Sequence, residues 1–274
     1  MINIMYAGNK KVFNQIIISS VSIANHTKED LNIYILTMDL TNFNPKYIAI
    51  SEKMRVYLEN ILKRKNINNK VYIINCLEAY NSFKFNDVNN MSLFTPYANL
   101  RLFADKLDLP SHIIYLDADT ICNSDIKELY DLDVSNYELF AVRDVGLFGI
   151  KNKKRYFNSG MLDLNLDYIR KTGYFEKARN LCNEKKMVFL DQDALNLTWT
   201  KIKLIDRKFN TIHKHKFSKW TDNVIHHCCD TRLFIFIRFK SDDLKKFRFK
   251  FKCYHSLLDE CEKYINDLKI LIIN

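Results

Sequence analysis

Apolar and polar positions along this chain follow two alternating periods. Residues 2–6, 31–37, 71–75 and 113–116 are short apolar runs of strand length, while residues 12–25, 48–65 and 96–107 repeat apolar positions at the three-to-four spacing of helices. Strand and helix in turn predict an α/β fold whose mainly parallel sheet is joined by right-handed crossovers. Further on, residues 137–143 and 159–166 read as strands, 166–185 and 191–198 as helices, and 203–205 and 224–227 as short strands. The last thirty or so residues give no clear period.

The run Ile113-Ile114-Tyr115-Leu116 ends abruptly in Asp117-Ala118-Asp119-Thr120. Side chains alternate along a strand, so Asp117 and Asp119 share one side of the backbone if strand geometry persists just past the run. Two carboxylates on one side repel each other and attract a hard divalent cation. Strand ends of open α/β sheets are also where ligands sit.

Composition narrows the classes. With 47% hydrophobic and 27% charged residues the chain is globular, and it lacks the run of about twenty apolar residues that spans a bilayer. The first residues form a strand pattern without a basic leader, which predicts a cytoplasmic protein. Seven cysteines without a C-x-x-C spacing argue against a disulfide framework and against a zinc ribbon. Residues 201–274 hold 17 Lys and Arg against 9 Asp and Glu, most of the net charge of +10. From Arg232 to Lys252 basic residues interleave with Phe and Ile. Such a stripe suits an anionic membrane surface, here the inner face of the cell membrane, or else covers the edge of a domain. No nucleic-acid-binding motif accompanies it, so nucleic acid is not an expected partner.

Taken in order, Tyr115-Leu-Asp117-Ala-Asp119, Tyr156-Phe-Asn158-Ser-Gly160, Asp191-Gln192-Asp193 and a late His227 resemble the family 8 glycosyltransferases, which include lipopolysaccharide galactosyl- and glucosyltransferases and glycogenin. Thr95-Pro-Tyr-Ala-Asn-Leu-Arg101 and Ala141-Val-Arg-Asp144 agree. The resemblance covers roughly residues 1–227. It implies a single nucleotide-sugar-binding domain of the GT-A type over residues 1–230, followed by a basic, aromatic C-terminal segment over 231–274.

The resemblance also implies a chemistry: Mn²⁺, with Mg²⁺ as the alternative, holds a uridine diphosphate (UDP) sugar, and a hexose, galactose or glucose, moves with retention to a glycan or lipid-linked saccharide such as lipopolysaccharide. Asp117, Asp119 and His227 then correspond to metal ligands. Ala7, Gly8, Asn9, Arg101, Ala118, Asp144 and Asn158 correspond to donor-binding positions, with Asn9 where many members carry Asp. Gln192 and Asp191 correspond to the pair near the anomeric carbon, where an amide in place of a carboxylate nucleophile favours front-face attack over a covalent intermediate. Taken alone, Asn158-Ser-Gly160 reads as a turn and Asp191 as a helix N-cap.

After His227 the family commonly carries a glycine and a basic residue that closes over the diphosphate. This chain has Cys228-Cys229-Asp230-Thr231-Arg232-Leu233, with Arg232 one position early. Two other readings stay open: a catalytically impaired nucleotide-sugar-binding protein, and a haloacid-dehalogenase-type phosphatase, whose D-x-D-x-T motif the string Asp117-Ala-Asp119-Thr120 resembles.

Overall fold

A computed structural model describes residues 1–83, 85, 95–144, 155–212, 223–228 and 254–273. The strands are β1 (Ile2–Ala7), β2 (Leu31–Thr37), β3 (Lys70–Asn75), β4 (His112–Leu116), β5 (Thr120–Cys122), β6 (Leu139–Arg143), β7 (Phe157–Asn165), β8 (Ile202–Ile205), β9 (Thr211–Ile212) and β10 (Ile225–His227). The α-helices are α1 (Phe13–His26), α2 (Glu52–Lys63), α3 (Leu77–Phe83), α4 (Lys127–Tyr130), α5 (Leu166–Thr172), α6 (Tyr174–Glu184), α7 (Leu190–Leu197) and α8 (His255–Ile273). The helix expected before β4 forms over Pro96–Lys106, wound as 3₁₀.

The main sheet has the order β3-β2-β1-β4-β7-β6-β8. Strands β1 to β4 pair in parallel, as the strand-helix alternation requires, and β8 is parallel to β6. Strand β7 runs antiparallel to both β4 and β6. The alternation stops at β4, because only the four-residue α4 lies between β5 and β6, and antiparallel pairing needs no crossover helix.

Each face of this sheet carries its own core, and β4 feeds both. Ile114 and Leu116 enter one cluster with β1, α1 and α2. Ile113 and Tyr115 enter the other with α5, α6 and α7. This is the two-residue alternation of a strand buried on both sides. The C-terminal helix α8 joins the first cluster through Leu258, Cys261, Ile265 and Leu268. Their spacing of three and four defines a helical face whose burial contributes about 1.5–3 kcal/mol per large apolar side chain.

The single helix expected over 166–185 is two helices, α5 and α6. Gly173 breaks it by adopting φ +66°, a left-handed conformation that glycine enters without a Cβ clash, and its N–H caps Ile169 O. The Arg232–Lys252 stripe lies outside the described residues. Among the described residues no helix is long and apolar enough to cross a membrane.

Candidate active site

Strand geometry ends at Leu116, so Asp117 and Asp119 do not share a side by alternation. A turn brings them together instead: Thr120 N and Thr120 Oγ1 both donate to Asp117 O, across 3.2 and 2.9 Å. The backbone then continues as β5, the edge of a second sheet with the order β5-β10-β9. In that sheet His227 pairs with Thr120, and Cys228 N donates to Asp119 O across 2.9 Å. Backbone pairing therefore carries a residue more than a hundred positions downstream to the two aspartates. His227 Nε2 lies 3.3 Å from Asp119 Oδ1 and 3.7 Å from Asp117 Oδ2. The neighbouring His226 turns the other way, its Nδ1 paired with Tyr254 Oη at 2.9 Å, as strand alternation dictates.

Charge in this cluster is mutually adjusted. Burial opposes ionisation of Asp119, yet His227 holds its carboxyl below the ordinary range. Burial likewise opposes a charged His227, and Asp119 followed by Asp117 raises its pKa above the usual 6.5. The two carboxylates thus favour positive charge between them. Three donor atoms, two carboxylate oxygens and one imidazole nitrogen, lie within 4.8 Å of one another. A mixed oxygen and nitrogen set of this kind fits Mn²⁺ well and Mg²⁺ less well.

Arg101, on the Pro96–Lys106 helix, is buried at the floor of the site. Its Nη2 donates to Asp117 Oδ1 (2.9 Å), its Nη1 to Ser159 O (2.5 Å) and its Nε to Ala98 O (3.1 Å). Tyr115 Oη also donates to Asp117 Oδ1 (2.7 Å), and the guanidinium sits 4.1 Å above the Tyr115 ring centroid. Asp117 Oδ1 is thereby occupied, and Oδ2 is the oxygen turned towards His227. On its other side Arg101 Nε lies 3.2 Å from Asp191 Oδ2. Burial pushes the Asp191 carboxyl up to about 6, with Arg101 pulling against it. Asp191 Oδ2 is buried and accepts no hydrogen bond of good geometry among the described residues, so its neighbour there is the Arg101 guanidinium.

Helix α7 supplies Gln192 beside Asp191. Its Oε1 accepts from Ser159 N (3.0 Å) and Asn158 Nδ2 (3.2 Å), and its Nε2 donates to Asp144 Oδ2 (3.1 Å) and Tyr156 Oη (3.2 Å). The N-cap of α7 is Phe189 and not Asp191. Asp193, one residue past Gln192, reaches back to accept from Val188 N and Phe189 N and takes the Tyr156 hydroxyl at 2.6 Å. Between them Leu190 holds φ +32°, a strained value for a side-chain-bearing residue.

Ala7, Gly8 and Asn9 end β1 at the same edge of the sheet as Asp117. Gly8 N donates to Leu36 O, and a Cβ on Gly8 would stand 2.2 Å from Val12 Cγ2, so any larger residue there would have to displace the Val12 side chain. Asn9 caps that turn, its Oδ1 accepting from Lys11 N at 3.1 Å. Ala118 packs on the first core from within the D-x-D turn. Asp144 and Asn158 join Arg101, Asp191 and Gln192 in the hydrogen-bonded group just described. Arg232 lies outside the described residues.

Three contributors were not singled out in the sequence. Tyr115 reads as a core aromatic and Asn210, whose Oδ1 lies 3.2 Å from His227 Nδ1, as a loop residue. Gly160 reads as part of a turn but belongs to β7, where a Cβ would come 2.1 Å from His227 Cε1. The imidazole rests on the space a side chain would fill.

The family model described as Glycosyl transferase family 8 matches residues 3–232. A lipopolysaccharide 1,2-glucosyltransferase of Escherichia coli K12 is 27% identical over 78% of the chain and 63% of its own length. A lipopolysaccharide 1,3-galactosyltransferase of Salmonella typhimurium is 30% identical over 52% of the chain and 45% of its own length. The chain thus spans less than two thirds of the length of these relatives. Among solved structures, the galactosyltransferase LgtC in complex with donor and acceptor sugar analogs superposes with TM-score 0.64 at 19% identity, covering 84% of this chain and 87% of that one. The glycosyltransferase GlyE of Streptococcus pneumoniae TIGR4 does so with TM-score 0.60 at 20% identity over 95% and 63%. Those likenesses give the GT-A fold. The family match removes the basis for the phosphatase reading, and with a matched segment reaching from β1 through the D-x-D turn to β10, the chain belongs to glycosyl transferase family 8.

Proposed function

We propose that this protein is a metal-dependent, retaining glycosyltransferase that moves a hexose, galactose or glucose, from a UDP-sugar to a saccharide acceptor. The observation that carries the reading is the convergence of Asp117, Asp119 and His227 within 4.8 Å, at the end of β4 and against the Arg101–Asp191 pair. Asp117, Asp119 and His227 would hold Mn²⁺. A cation there acts as a Lewis acid on the diphosphate, easing departure of the leaving group.

The chain's own residues would do the rest. Ala7, Gly8 and Asn9 line the β1 end for the nucleoside, with Ala118, Asp144 and Asn158 around the donor. Arg101 steadies Asp117 and Asp191 together. Asp191, with Oδ2 held against Arg101, would take a sugar hydroxyl. Gln192 lies too poorly nucleophilic and too firmly hydrogen-bonded to attack carbon, so it serves as a fixed dipole beside the cationic character that develops at the anomeric centre. That arrangement favours front-face attack by the acceptor, with the departing phosphate taking its proton. Arg232 is the residue proposed to close over the diphosphate.

Support for the acceptor class comes from the two relatives above, which are named as lipopolysaccharide glycosyltransferases. A lipid-linked or cell-surface glycan therefore heads the list, with the Arg232–Lys252 stripe as a peripheral contact to anionic lipid on the cytoplasmic side. The test is a panel of UDP-hexoses with Mn²⁺ and saccharide acceptors, read by NMR. Retention of configuration in the product is expected. Inversion would overturn the mechanism, and nucleotide binding without turnover would leave a binding protein. For the stripe, sedimentation with vesicles should require anionic lipid and weaken with salt.

A further inference from the structure

Two backbone N–H groups fix the polarity of a chain of side-chain amides that runs the length of the site. Gly160 N–H donates to the Asn158 side chain at 2.9 Å, so the atom it meets is the carbonyl oxygen Oδ1. The same oxygen lies 2.9 Å from Asn210, so Asn210 must present its Nδ2 there. Asn210 Oδ1 is then the atom 3.2 Å from His227 Nδ1, and an acceptor in that position requires Nδ1 to carry hydrogen. At the other end Ser159 N–H fixes Gln192 Oε1, which also accepts from Asn158 Nδ2, and leaves Gln192 Nε2 to donate to Asp144. Every link donates in one direction, from the imidazole of His227 to the carboxylate of Asp144. Asn210 is 3% exposed and Asn158 is partly buried, so water competes poorly for these bonds.

We infer that Asn210 is a positioning residue that orients the His227 ring: its Oδ1 holds the Nδ1–H edge, so that Nε2 faces the space shared with Asp117 and Asp119, where a cation would replace the proton those carboxylates favour. An unrestrained imidazole distributes its proton between both nitrogens and rotates about its axis. Gly160 bounds the ring at Cε1, and Asn210 bounds it at Nδ1. Through Asn158 the same residue ties the orientation of the metal-facing imidazole to that of the Gln192 amide. The inference rests on the metal role proposed for His227.

The experiment compares the wild type with Asn210→Ala, Asn210→Asp and His227→Ala, using two readouts. The first is the ¹H–¹⁵N spectrum of the His227 ring in metal-free protein, which reads whether the Nδ1 hydrogen is held against exchange with water. The wild type should show a protected Nδ1–H, Asn210→Ala should lose that protection, and Asn210→Asp, which keeps an acceptor oxygen, should restore it. The second is calorimetry of Mn²⁺ in the presence of UDP. Asn210→Ala should lose about 10- to 100-fold in affinity, and Asn210→Asp only a few-fold. An Nδ1–H equally protected in Asn210→Ala, or unchanged Mn²⁺ affinity in that variant while His227→Ala loses it, overturns the inference and leaves the proposed function standing. If wild type and His227→Ala bind Mn²⁺ alike, the metal role of His227 fails instead, and the ring spectrum still decides what Asn210 does.

Discussion

Arg101 and Asp117 are joined by a 2.9 Å hydrogen bond from Nη2 to Oδ1, and the same guanidinium holds Asp191 on its opposite edge at 3.2 Å. One buried cation therefore sets the separation between the D-x-D turn and helix α7. A lysine has the charge without the planar fork and cannot reach Asp117, Ser159 O and Ala98 O together. Arg101→Lys is expected to fold, as checked by circular dichroism, and to lose at least about 100-fold in turnover through misplacement of both carboxylates. Steady-state kinetics with the best UDP-hexose would reveal it. Turnover within a few-fold of wild type would mean that Arg101 is structural only.

Much of this was written locally in the sequence, and the parts that were not share a cause. The apolar run into Asp117 is a local signal, so β4 and the candidate ligand pair were legible. The means of convergence was not, because the Thr120 hydroxyl contact with Asp117 O is a property of one turn. His227 came from resemblance: its proximity depends on β10 pairing with β5, a non-local register that no local pattern contains. Gly160 was misread because glycine in a strand signals a close approach as well as a turn, and only the fold brings the imidazole above it. The stripe Leu258, Cys261, Ile265, Leu268 was present in the sequence at helical spacing, but the basic and aromatic stretch before it obscured where α8 begins.

Gly160→Ala should act almost wholly on the metal. The added methyl meets the His227 ring at 2.1 Å from Cε1, while the strand conformation of residue 160 tolerates alanine. Displacing the ring should weaken Mn²⁺ binding in the presence of UDP by at least about 10-fold, by analogy with loss of a ligand's supporting contact. Thermal melting guards against general destabilisation. Full metal affinity in a folded Gly160→Ala protein would contradict the placement of His227.

For Gln192→Ala the expectation is a split between kinetic constants. A dipole that acts only on charge formed in the transition state contributes to kcat and not to donor binding. Turnover should fall about 100-fold with the donor KM nearly unchanged. A raised KM with normal kcat would assign Gln192 to ground-state binding.

Away from the site, Glu59 on α2 accepts from Lys63 Nζ (2.6 Å), Arg55 Nη1 (2.7 Å) and Val71 N (3.1 Å), fastening the helix to β3. Burial alone would raise its pKa, but these partners hold it below the unfolded value of 4.5. A folded-state pKa below the unfolded one gives stability that is complete above pH 4.5 and is lost as pH falls through the folded value. Glu59→Gln should therefore cost about 1–2 kcal/mol at neutral pH, and the difference from wild type should shrink on acidification. Urea melts across pH 3 to 7 would test this, and a difference that grows towards acid would refute it.

The most direct measurement is calorimetry of UDP binding with and without Mn²⁺, on the wild type and on Asp119→Ala. If Asp117, Asp119 and His227 hold a cation that shares the diphosphate, the wild type should bind UDP far more tightly with Mn²⁺ than with chelator present. Asp119→Ala should lose at least about 100-fold of that gain, since removing a ligand costs more than removing its support. UDP affinity that is indifferent to chelation, or equal in the two proteins, would contradict the metal site on which the function rests.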